Sequence, residues 1–232
     1  MIKAQEILQF TDEALHLCIA IMDRYISLDT EGQLESDAIA AAALLIAIDA
    51  CQLTGIDFEI VYLSLSYKGL EITRNDLSAA KRRILLTLED EQIQLSYSFL
   101  SVYGKCSPLI CPNQSALARY VLELSLMESQ FVNVPPSKMA AATLLWTLLY
   151  SRGHVEWEKS LESFTNHSRE ELMPIAKALN YVVATAPTQK FSIFEKYRLK
   201  SGQSIWENEN SRLMPFFPTG FGGSCLFIKE LL

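Results

Sequence analysis

The residues of this 232-residue chain whose types could do chemistry are three histidines, five cysteines and one acidic run, and their spacing assembles none of the usual sites. His16, His154 and His167 lie far apart and outside any H-E-x-x-H or Cys/His ligand pattern, so each reads as a helix-surface or loop residue. Cys106-x-x-x-x-Cys111 has no second ligand pair. Glu89-Asp90-Glu91 resembles half of a magnesium–diphosphate cluster, but with no second acidic motif it reads as a solvated helix end. Gly220, Gly222 and Gly223 follow no strand and precede no helix of useful length, so they make no phosphate loop. Gly-x-Ser-x-Gly is absent. The expectation is a chain that is not an enzyme and holds no metal or cofactor.

The totals narrow the alternatives. Half the residues are hydrophobic, enough for two cores of ordinary size. A net charge of −7 disfavours a nucleic-acid surface and, more weakly, anionic membranes. An odd number of cysteines without C-x-x-C or a signal-peptide pattern predicts reduced thiols in cytosol or nucleus. Apolar runs are interrupted by Asp37, Asp49 and Arg152 before the roughly 20 residues a bilayer requires, so a soluble chain is expected.

The elements that must position any site are helices. Asp37–Ala50 and Ser137–Tyr150 echo each other at a fixed offset: Ala40–Ala42 falls on Ala140–Ala142 and Leu44–Leu45 on Leu144–Leu145. Both lack Gly and Pro and are apolar on every face, which marks a buried helix. Two similar helical domains, each wrapped around one Ala-rich helix, are predicted. Glu6–Ile26 has helical periodicity with a possible capped break at Thr11 or Asp12, and Phe58–Leu65 is a short apolar element. Thr73-x-x-Asp76 opens a helix to about Leu88, and Gln94–Tyr103 supplies another. Gly104–Asn113, with Pro108 and Pro112, reads as an interdomain linker. Beyond it, Ser115–Glu128 is amphipathic, Gly153 breaks the second Ala-rich helix, and Trp157–Phe164 follows. Ser168-x-x-Glu171 then starts a helix that Pro187 is expected to close, and Phe191–Tyr197 is a short terminal piece. Pro215–Ser224 has no helical period and reads as an irregular tail.

Several of these segments resemble the cyclin family, most of all the mitotic A/B-type cyclins. Ala20–Tyr25 is similar to the IMDRF segment of the first cyclin box. Tyr120–Glu128, Pro135–Ala142, Trp157-x-x-Ser160-Leu161, Thr165, Ser168–Leu172, Pro174 and Glu195–Tyr197 resemble the second box. The resemblance covers roughly residues 5–205. It implies an all-α chain of two tandem cyclin-fold five-helix domains: 1–104, divergent and lacking most of its opening helix; a linker at 105–114; 115–200; and a tail at 201–232.

Members of the family bind a cyclin-dependent kinase and hold its regulatory helix inward, so the resemblance implies a non-catalytic regulatory subunit in G2/M control. It implies that kinase as protein partner, no nucleic acid or membrane partner, and a nuclear or cytoplasmic location. The family's interface positions correspond here to Ile46, Asp49, Ala50, Lys81 and Leu85. Where the family has a Lys that donates to kinase carbonyls, this chain has Asp49; where it has a Glu, this chain has Lys81. An ionised Asp only accepts hydrogen bonds, and Ala50 stands at an aromatic position. The two reversed charges are expected to pair with each other. Asp23 is the family's salt-bridge position, expected here without its usual Arg. Ser36 and Asp37 mark the remnant of a substrate-docking patch. These departures keep an alternative open: a degenerate or truncated cyclin-fold protein that does not activate a kinase and acts, if at all, as an adaptor.

Overall fold

The expected break near Thr11 is present. Helix α1 (Ile2–Leu8) ends at Gln9 in the left-handed region, and Thr11 starts α2 (Asp12–Leu28) by accepting a hydrogen bond from the Ala14 amide at 3.2 Å. Buried Gln5 ties the two together, donating from Nε2 to the Phe10 carbonyl and to Asp12 Oδ1. The structure is a computed structural model and describes residues 1–29, 32, 34–67, 72–89, 91–106, 111–152, 157, 159–189 and 191–200. The expected tail at 201–232, Gly153, His154 and linker residues 107–110 lie outside the described residues.

The chain divides into two units, Met1–Leu95 and Ser96–Leu232, and the regular structure among the described residues is helical throughout. In the first unit α3 (Ser36–Ala50) is the hub, packed against α2, α4 (Phe58–Tyr67) and α5 (Arg74–Thr87). Its Ala41, Ala42, Ala43 and Ala47 are buried beside Leu44, Leu45 and Ile48, and these small side chains let neighbouring helices approach closely. Thr73 and Asp76 form the expected reciprocal capping box at the start of α5.

In the second unit α8 (Pro136–Arg152) has the same role. It packs against α6 (Ser96–Cys106), α7 (Pro112–Ser125), α9 (Lys159–Thr165) and α10 (Arg169–Gln189). Thr143 and Thr147, the polar residues of its buried stretch, donate to the carbonyls of Met139 and Thr143 four residues back, so neither hydroxyl is left unsatisfied. Trp157, part of the cyclin-like pattern, is buried and donates from Nε1 to the His167 carbonyl at 3.0 Å, fixing the chain just before α10. Helix α11 (Phe191–Lys200) then packs on α7 and α10.

Three sequence expectations are corrected. The boundary between units falls at Leu95–Ser96, not within 105–114, because α6 buries Leu100 and Tyr103 inside the second unit. Helix α10 runs through Pro187 to Gln189. A proline removes one main-chain donor but supplies a helical φ, and in a last turn the loss is small; Thr185 Oγ1 also reaches the nearby Tyr181 and Val182 carbonyls. His16 is buried rather than on a helix surface, since the apolar stripe of α2 is broad enough to take in Ala14, Leu15, His16 and Cys18 together.

Candidate functional site

The expected interface residues come from two helices that touch. Ile46, Asp49 and Ala50 occupy the last turns of α3, while Lys81 and Leu85 stand one turn apart on α5. Lys81 Nζ lies 2.5 Å from Asp49 Oδ2, so the two reversed charges do pair with each other. Their exposures differ: the Lys81 side chain is 29% accessible and Asp49 63%, so the carboxylate is the part that faces solvent. A pair this exposed contributes about 0–1 kcal/mol to stability. Ile46 is half-buried against the core of the unit; Ala50 is exposed, as is Leu85 at 49%.

The end of α3 that carries Asp49 is locally costly. The Leu53 amide bonds the Ile48 carbonyl and the Gln52 amide bonds that of Asp49, both at 3.1 Å, closing the helix in a Schellman arrangement. That closure puts Gln52 at φ 52°, a left-handed position that favours glycine. Asp49 itself sits where the helix dipole is negative and disfavours a carboxylate. Replacing Gln52 with Gly is therefore expected to raise the stability of the first unit by roughly 0.5–1 kcal/mol, read as a higher midpoint in urea.

The other expected positions do not join this face. Ser36 and Asp37 open α3, roughly 18–20 Å of helix away from Asp49. Both are exposed, and Asp37 lies in the first turn, where the dipole favours it. Asp23 is exposed on α2 with no ion-pair or hydrogen-bond partner among the described residues, and partial desolvation raises its carboxyl above the usual range. Because it is exposed, no buried charge results from the missing partner. Its neighbour Arg24 binds Glu91, with Nε 2.6 Å from Oε2, tying α2 to the segment after α5, and Arg83 on α5 reaches Asp29 at the end of α2 at 3.5 Å.

Sequence reading missed the strongest polar feature, which lies in the second unit. Lys196 Nζ sits 2.7 and 2.6 Å from the two carboxylate oxygens of Glu123, and Tyr197 Oη donates to Oε2 at 2.9 Å. Glu123 and Lys196 are almost fully buried. A lone Glu inside the apolar run Tyr120–Leu124 is the signal that would have flagged it, since such a carboxylate must find a cation.

Charge is divided unevenly. Residues 1–95 hold seven Lys and Arg against sixteen Asp and Glu, 7 − 16 = −9; residues 96–232 hold thirteen against eleven, 13 − 11 = +2. The candidate face belongs to the acidic unit. Among the described residues no group of three or more His, Cys, Asp or Glu is placed to hold a metal ion, and no helix is long and apolar enough to cross a membrane.

Residues 95–207 match the cyclin C-terminal domain. The chain is also similar to G2/mitotic-specific cyclin-B3 of Gallus gallus, 29% identical over 194 residues, covering 82% of this chain and 46% of that protein. For cyclin-B3 of Drosophila melanogaster the identity is 29% over 187 residues, covering 78% and 32%. For G2/mitotic-specific cyclin-3 of Saccharomyces cerevisiae it is 29% over 204 residues, covering 85% and 45%. Coverage of this extent exceeds the second unit alone, so the similarity reaches into the first. The chain spans between about a third and a half of the length of these relatives.

Proposed function

We propose that this chain, residues 95–207 of which match the cyclin C-terminal domain, is a non-catalytic regulatory subunit that binds a cyclin-dependent protein kinase in G2/M control. The observation that carries the reading is the α3–α5 face. Ile46 and exposed Leu85 flank an ion pair there, at the positions where the resemblance puts the kinase contact, in a chain similar to mitotic cyclins over most of its length. Bound there, α3 and α5 would hold the kinase's regulatory helix inward so that its Lys–Glu pair forms. Such a role places the protein in nucleus or cytoplasm.

Co-purification with a recombinant mitotic cyclin-dependent kinase, followed by a histone phosphorylation assay, tests this. The expected result is a complex with kinase activity well above that of the kinase alone. A second reading, a degenerate or truncated cyclin-fold protein that does not activate a kinase and acts, if at all, as an adaptor, is favoured by Ala50 and the Asp49–Lys81 reversal. It predicts no gain in kinase activity, with or without a complex. Failure to bind any cyclin-dependent kinase would overturn the first reading and leave the second.

A further inference from the structure

The reversed pair at the end of α3 can be read as a defect or as a device, and its geometry favours the second. A defect would be expected to hide the intruding charge from solvent. Instead Asp49 keeps its carboxylate 63% exposed while its partner Lys81 is 29% exposed, so the pair shows solvent an acceptor rather than a donor. Lys81 engages Oδ2 alone; among the described residues no contact is made to Oδ1, which leaves that oxygen's lone pairs available. Two local penalties meet at the same place, the carboxylate at the negative end of the helix and Gln52 in a left-handed conformation. Local cost of this kind concentrates where a surface has work to do.

The surroundings say what such a carboxylate would meet. The unit that carries it is strongly acidic, nine negative charges in excess, and its field attracts cationic surfaces and repels acidic ones. Leu85, one turn beyond Lys81 on α5, offers an exposed apolar patch next to the charge. Arg83 is engaged with Asp29, and exposed Arg82 projects about 100° further round α5 than Lys81.

We infer that Asp49 is a specificity-determining residue of this face, accepting a charge-assisted hydrogen bond from a Lys or Arg side chain of the partner kinase while Leu85 packs against apolar surface beside it. Lys81 positions the carboxylate and offsets its cost at the helix end. The inference rests on the kinase-binding reading above and adds the chemistry of the partner: a contact surface with a cation where the common arrangement asks only for carbonyl oxygens. A kinase without that cation would bind poorly however well the rest of the surface fits.

The test uses the full chain and a panel of recombinant cyclin-dependent kinases, with Kd measured at about 0.05 and 0.2 M salt. Two variants are compared with the parent for every kinase that binds. Asp49→Asn keeps the shape and removes the charge. The double exchange Asp49→Lys with Lys81→Asp keeps an ion pair between the helices but turns the exposed group into a cation. Expected are Kd values at least about tenfold weaker for Asp49→Asn, weaker still for the exchange, and a flatter salt dependence for both, with melting unchanged. If the exchange fails to fold, Asp49→Asn alone decides. Equal or tighter binding by the variants overturns the inference while leaving the kinase-binding reading intact, because it would show that Asp49 contributes nothing to the contact or hinders it. No binding to any kinase in the panel overturns that reading and the inference with it.

Discussion

Lys196→Met is expected to destabilise the second unit by about 3–5 kcal/mol, the usual cost of stranding a buried charge. Lys196 is the cation that both oxygens of Glu123 face, at 2.7 and 2.6 Å, and both side chains are shut away from water. Without it the carboxylate keeps the hydrogen bond from the Tyr197 hydroxyl but loses the ammonium group that faces both its oxygens. Because Glu123 lies on α7 and Lys196 on α11, the pair also fixes how the last described helix seats against the unit. The companion variant, Glu123→Leu with Lys196→Met and Tyr197→Phe, removes these three polar groups together and is expected to lie closer to the parent than Lys196→Met does. Denaturant unfolding of the three proteins checks both expectations. A loss below about 1 kcal/mol for Lys196→Met would mean that apolar packing of Ile193 and Tyr197, not the ion pair, holds α11 in place.

That network also shows where sequence reading stops. Helix identity was legible wherever local chemistry decides it. The Ala-rich segments announced themselves as hubs because a helix apolar on all sides can only be buried, and Thr73 and Asp76 announced a cap because their side chains answer the orphan amides of the first turn. The pairing of Asp49 with Lys81 was legible only through the resemblance, which sets the two reversed charges at positions that face each other. What failed was decided by packing across the chain. His16 is buried because α2 is enclosed on a wider arc than its leucines alone imply, and α6 belongs to the second unit because its Leu100 and Tyr103 find their places there. Pro187 stays inside α10 because the preceding turns hold the helix against the loss of one bond. Glu123 and Lys196 are 73 residues apart, and only the assembled unit brings them within reach.

On the proposed kinase-binding function, Leu85→Lys is expected to weaken kinase binding by about 2 kcal/mol or more, close to thirtyfold in Kd, without lowering the stability of the first unit. The stability half follows from position. Leu85 is 49% exposed in the last turn of α5, so little core contact is lost, and a cation there suits the negative end of the helix. The binding half follows from chemistry. The substitution removes apolar area at the expected contact and puts a cation beside Asp49, where it competes for the acceptor and repels a basic partner. Leu86→Lys is the matched control: it adds the same charge in the same turn, at a residue 61% exposed, but about 100° round the helix. It is expected to change Kd less than threefold, the reach of a rim charge. Equal losses for the two variants would mean that net charge, not the α3–α5 face, governs the encounter, and a loss for Leu86→Lys alone would move the contact towards the outer side of α5. Loss at Leu85 alone would place the partner over the α3–α5 face.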